Sequence, residues 1–134
     1  MAEKRNCSTG RLQMVSRPTE PQFRRGDIWL VDFGSEPEHP EQAFRRPAVV
    51  VSDDRLHLPS LKIVVVVPGT STLRHLPLHV EVDPTDDNGL SRPTAFQAEQ
   101  IRAVSSVRLI ERIGRLEGEH CHSLDEILRN TLSL

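Results

Sequence analysis

Two short runs built almost wholly from valine, Ala48 to Ser52 and Ile63 to Val67, constrain this chain more than anything else in it. Each is too short for a helix and too rich in β-branched side chains to favour one, so they read as neighbouring strands buried on both faces. A polar, Pro-marked turn between them makes the pair a hairpin. Its ends are polar: Arg46 stands just before the first run, and Pro68-Gly69-Thr70-Ser71-Thr72 follows the second. The start of one antiparallel strand lies beside the end of the next. A guanidinium and a cluster of hydroxyls should therefore converge at one rim of the sheet.

The remaining elements arrange themselves around that hairpin. Residues 1 to 22 are polar, carry two prolines and show no apolar periodicity, so they read as a disordered extension ahead of a single domain over residues 23 to 134. Ile28 to Phe33 reads as the first strand. Gly34 to Arg45 reads as a long polar hairpin loop, of the kind that commonly carries function. Leu78 to Val82 alternates as a half-exposed strand, and Asp86-Asp87-Asn88-Gly89 is a turn in which Asn and Gly both suit positive φ. Thr94 to Val104 allows a strand that bends, Ser105 to Leu109 a capped helical turn, and Ile110 to Leu116 a last strand. Cys121, Leu124, Leu128 and Leu132 recur at helical spacing, with Ser123 and Glu126 as a capping box.

About six strands with short connections and one terminal helix predict a mainly β fold, a partly closed antiparallel barrel of the SH3-like kind with a C-terminal helix. A formal net charge of −2 excludes coating of nucleic acid by bulk attraction and leaves only a local basic site. Cys7 and Cys121 stand far apart, so neither a disulfide framework nor a zinc ribbon is supported, and a reducing cytoplasm is expected. The longest apolar run is far too short to span a bilayer, and no signal-peptide core is present. His120-Cys121-His122 looks metal-like, but residues two apart on a helix point nearly opposite ways, so no metal is expected there.

Four stretches, in order, resemble a known family: Arg25 to Phe33, Arg46 to Ser52, Val67 to Ser71, and Ala98-Glu99-Gln100-Ile101-Arg102. They are similar to the MazF/PemK toxins of bacterial toxin–antitoxin systems, and the resemblance covers about residues 24 to 134. It implies an SH3-like barrel homodimer that cuts single-stranded RNA at short sequences without a metal or other cofactor, and that a cognate MazE-like antitoxin neutralises. It also implies that Arg46, which precedes Pro47, and Thr70, after the Val-Pro-Gly strand end, are catalytic. Arg45 is the substitute should the register slip by one. Glu41 in Glu41-Gln42-Ala43 resembles the family's acidic residue, and Glu36 in Gly34-Ser35-Glu36 resembles it equally well.

These residue types suit that chemistry. RNA brings its own nucleophile, the 2′-hydroxyl, so the protein need only take a proton, stabilise the phosphorane and protonate the leaving 5′-oxygen. The planar fork of Arg46 matches phosphate oxygens and stays charged. The hydroxyl of Thr70 donates to the phosphate or orients the 2′-oxygen. Ser71, Thr72 and Arg74 are candidates for supporting contacts, Gln100 and Arg102 for a base edge and a phosphate, and the loop histidines His39 and His75 for acid–base work. Each feature has an ordinary reading: an Arg before a strand is commonly a surface ion pair, and hydroxyls after Pro-Gly commonly satisfy a turn. Two other functions use the same fold. One is a non-enzymatic toxin that binds a protein target such as DNA gyrase, which has no need of Arg46 and Thr70. The other is a nucleic-acid-binding module without catalysis, which an aromatic content of 4% with no tyrosine disfavours.

Overall fold

The computed structural model describes residues 23–34 and 44–134. The expected extension over 1–22, and Glu36, His39 and Glu41, lie outside the described residues. Seven strands form one mainly antiparallel sheet: β1 (Asp27–Asp32), β2 (Arg45–Val50), β3 (Ile63–Thr70), β4 (His79–Val82), β5 (Thr94–Gln97), β6 (Arg102–Ser105) and β7 (Leu109–Arg115). The strand order is β4-β5-β3-β2-β1-β7, with β6 pairing β3 off that path. Helix α1 (Gly118–Leu132) closes the chain. This is the mainly β, partly closed architecture with a C-terminal helix that the sequence predicts. No helix among the described residues is long and apolar enough to cross a membrane.

Alternation along the three central strands builds two cores on opposite faces. Ile28, Val49 and Val67 point toward α1, where they meet Phe96, Leu124 and Leu128. Trp29, Val31, Ala48, Val50, Val64 and Val66 point the other way, onto Val104 and Leu109. The valine hairpin is thus buried on both faces, as expected, but its strands run further than the apolar runs do. Arg46 lies inside β2 and Thr70 is the last residue of β3, because ladder pairing with β1 and β5 carries the extended backbone past the valines.

β3 changes partners along its length. Ile63 to Val66 pair with β6, whereas Gly69 and Thr70 pair with β5. The bend expected within 94–104 is a short 3-10 turn, Ala98–Gln100, which moves the chain from one partner position to the other. A second 3-10 turn, Ser106–Arg108, is capped by the Ser105 hydroxyl accepting from Val107 N.

Two local expectations need correction. Of Asn88 and Gly89, only Gly89 has positive φ, at 68°. Asn88 is fully buried instead, its Oδ1 accepting from Thr85 N and Leu90 N, each at 3.0 Å, while its Nδ2 donates to Asp83 O at 2.9 Å. The turn is held by a side chain standing in for backbone groups. Nor does Ser123 cap the helix: α1 begins at Gly118, and Ser123 is exposed within it. The chain enters α1 directly from buried Leu116, and the Glu117 side chain is drawn to Thr85 and Asn88 rather than to the helix amides. Burial pushes the Glu117 carboxyl up, but the hydrogen bonds from Thr85, its own backbone and Asn88 outweigh it and leave it below its ordinary value.

Replacing Asn88 by Ala leaves two amides and a carbonyl short of partners, so we expect a loss of about 2–3 kcal/mol and a Tm lower by roughly ten degrees. Thermal unfolding checks this, and an unchanged Tm would remove the turn from the fold's supports. A carboxyl lowered in the folded state stabilises at neutral pH, and that contribution goes as pH falls through its folded value. Acid unfolding of Glu117→Gln should therefore lose that part of the pH dependence.

Candidate functional site

Register decides which side chains meet at the open rim of the sheet. β2 and β3 pair Ala48 with Pro68, and two residues further on the same register sets Arg46 opposite Thr70. Residues directly opposed in this way share a face, with Cα atoms about 5 Å apart. Arg46 also faces Val31 on β1, Thr70 faces Ala95 on β5, and Ala95 faces Glu81 on β4. A guanidinium, an alcohol and a carboxylate thus share one row across five strands. Arg46 is half-buried; Thr70 is 6% exposed, and its Oγ1 accepts from Thr72 N at 3.1 Å. That leaves the Thr70 proton to be donated elsewhere. Glu81 is occupied by His75, whose Nδ1 lies 3.0 Å from Oε1 and whose backbone N donates to Oε2 at the same distance.

The next row inward holds residues that sequence reasoning missed. It runs from Trp29 through Ala48 and Pro68 to Gln97 and His79. Trp29 Nε1, Gln97 Oε1 and His79 Nδ1 are buried with no hydrogen-bond partner among the described residues, and all three belong to this row. His79 Nε2 lies 2.9 Å from Glu99 Oε2. A carboxylate only accepts, so Nε2 carries the proton in the neutral ring and Nδ1 presents a lone pair. The alternation of His79 with Val80 and Val82 was visible in the sequence; the distant Glu99 that covers it was not.

The remaining predicted residues fall in different places. Arg102 opens β6 opposite Val66, on the same face as Thr70, with its guanidinium 5.3 Å from the Phe33 ring centroid. Gln100 ends the 3-10 turn just before it and is half-buried. Thr72 and Arg74 are exposed beyond β3. Arg45 and Ser71 do not join Arg46 and Thr70: Arg45, one residue along β2, belongs to the opposite face, and Ser71 follows the end of β3. Both border a cleft of about 720 Å³, which Arg46 also lines from the rim. Gly69 also lines it, and a Cβ there would come within 2.6 Å of Thr94 Cγ2 and 3.0 Å of Phe96 Cε1. The loop after β1 is closed at its base, with Phe33 N donating to Phe44 O at 2.9 Å and Phe44 N to Gly34 O. Among the described residues no group of three or more His, Cys, Asp or Glu side chains is placed to hold a metal ion.

Residues 24–132 match the family described as PemK-like, MazF-like toxin of type II toxin-antitoxin system. The endoribonuclease MazF9 of Mycobacterium tuberculosis is 38% identical over 121 residues, which cover 84% of this chain and 98% of that protein. The endoribonuclease EndoA of Bacillus subtilis is 31% identical over 112 residues, covering 83% and 95%. Among solved structures, the Mycobacterium tuberculosis toxin MazF-mt6 superposes with a TM-score of 0.65 at 25% identity, covering 81% of this chain and 97% of that one.

Gly69→Ala should cost about 1–3 kcal/mol by overpacking against Thr94 and Phe96, read from the urea midpoint. Adding Thr94→Ser, which removes the methyl but keeps the hydroxyl, should restore part of it. No recovery would place the clash elsewhere.

Proposed function

The chain belongs to the PemK-like, MazF-like toxin family of type II toxin–antitoxin systems, and from that premise we propose that it is a sequence-specific endoribonuclease of single-stranded RNA, acting without a metal. The observation that carries this reading is the shared register of Arg46 and Thr70 at one rim of the sheet. The two named endoribonucleases among its relatives support it. Residues 23–134 form the toxin domain and 1–22 an extension to it.

The 2′-hydroxyl of the RNA attacks the adjacent phosphorus. Its proton passes to a base, assigned from the sequence to Glu41, in the loop whose base Phe33 and Phe44 close. Two side chains then act on the phosphorane. The Arg46 fork binds its oxygens in a rim where water is partly excluded, and the Thr70 hydroxyl, already accepting from Thr72 N, donates to one of them. The P–O5′ bond breaks, the leaving oxygen takes a proton, and the products carry 2′,3′-cyclic phosphate and 5′-hydroxyl ends. Gln100 and Arg102 contact a base edge and a phosphate of the RNA. Growth arrest follows from loss of translatable RNA in the cytoplasm. The antitoxin lays an acidic, apolar segment over Arg46 and the loop after Phe33, in competition with RNA. The toxin acts as a homodimer.

Arg46→Ala should lower cleavage by two to three orders of magnitude, about 3–4 kcal/mol, with the melting curve nearly unchanged. The assay is shortening of a long transcript in the presence of a chelator, with the product ends analysed. Wild-type cleavage by the substituted protein would overturn the site assignment. A wild-type toxin that leaves RNA intact would favour a protein target.

A further inference from the structure

The cleft on the far side of the rim from Thr70 is not needed to grip the scissile phosphate, yet its chemistry is uneven in an informative way. Arg45 and Arg92 both line it, and neither has an ion-pair partner among the described residues. Glu111 lines it too, likewise without an ion-pair partner among them. Leu30 and Leu90 add apolar lining. At about 720 Å³ it is within the range of roughly 300–1,000 Å³ in which proteins bind small organic ligands. Arg46 borders it from the rim, so a chain held there by one phosphate can pass its neighbouring nucleotide directly into it.

Resting on the ribonuclease reading above, we propose that this cleft is a specificity subsite for a nucleotide flanking the scissile phosphate, one whose base carries an exocyclic amino group. Two guanidinium groups without an ion-pair partner among the described residues match the flanking phosphate. The apolar lining from Leu30 and Leu90 suits the flat face of a base. A carboxylate offers acceptors only, and it selects an amino edge in the way that Glu or Asp accepts from cytosine N4. Uracil, which presents a carbonyl oxygen where cytosine has its amino group, sets that oxygen against the carboxylate and is rejected. The turn that carries Leu90 and Arg92 is held in place by the buried Asn88 side chain, so the subsite is built rigidly rather than on a loose loop.

The test compares wild type, Glu111→Gln and Arg92→Ala on a long transcript of known sequence, by mapping the ends produced, and on a fluorescent RNA spanning a mapped site. All three proteins should give matching melting curves, since both side chains are exposed. Wild type should avoid uracil at one position next to the cut. Glu111→Gln, whose amide also donates, should lose that avoidance there and nowhere else. Arg92→Ala should raise KM about tenfold, with KM carrying most of the loss. Wild type that cuts while both variants keep its sequence preference and KM would overturn the subsite alone. Wild type that cuts no RNA would overturn the ribonuclease reading, and the subsite with it. If Arg92→Ala loosens only inhibition by the antitoxin and leaves RNA kinetics as they were, the cleft is a protein-docking site and the proposal falls.

Discussion

Size matching, more than apolar patterning, holds β2 and β3 in register, and everything at the rim follows from that. Four consecutive valines in β3, Val64 to Val67, present nearly the same surface after a slip of one residue. A slip would nevertheless carry every side chain to the opposite face. What resists it is shape. Ala48 stands between Trp29 and Pro68, where a larger residue would crowd the indole. Gly69 sits under Thr94 and Phe96, where no other residue fits without displacement. With these two small positions fixed, Arg46 shares a face with Thr70 and Arg45 takes the other. The two adjacent arginines therefore have separate surroundings, although their side chains are identical.

The change of partners along β3 explains why Arg46 and Thr70 gather at that end. Over Ile63 to Val66 the strand pairs with β6 and over Val66 to Pro68 with β2, and its valines lie between two cores. At Gly69 and Thr70 it is flanked by β5, and the sheet is free to open. Pro68, with no N–H to donate, and Gly69, with no side chain, stand where the ladder changes. Polar residues become affordable only past that point, where backbone groups such as Thr72 N can satisfy them.

The elements were largely legible in the sequence because each rests on a local signal: β-branched runs for β2 and β3, alternation for β4, i, i+3 and i, i+4 spacing for α1. The convergence of Arg46 and Thr70 was legible as well, since a hairpin brings those ends together whatever surrounds it. The misses have one cause. Asn88 reads as a turn residue with positive φ until Thr85 and Leu90 are seen bonded to its side chain. Ser123 reads as a cap until Leu116, buried just before α1, is seen to start the helix earlier. His79, in a strand that reads as half-exposed, is buried beside Glu99, twenty residues away. Each depends on a partner from another element, and no window along the chain contains both.

That dependence bears on how a protein of net charge −2 holds a polyanion. Long-range attraction contributes little at that charge, and exposed ion pairs are screened within about 8 Å at physiological salt. The cations that matter must then be few, fixed and partly withdrawn from water. Asp27, buried under Arg112 and Arg115 at 3.3 and 2.9 Å, consumes two arginines in holding β1 to β7. Arg25 and Arg55 are likewise engaged by Asp125 and Asp53. Acidic partners thus occupy Arg25, Arg55, Arg115 and Arg112, the last of which also lines the cleft, whereas Arg45 and Arg92 line it with no carboxylate bound to them among the described residues. Two cations without an acidic partner among the described residues therefore stand together at one edge of a mildly acidic molecule, where a polyanion can meet them.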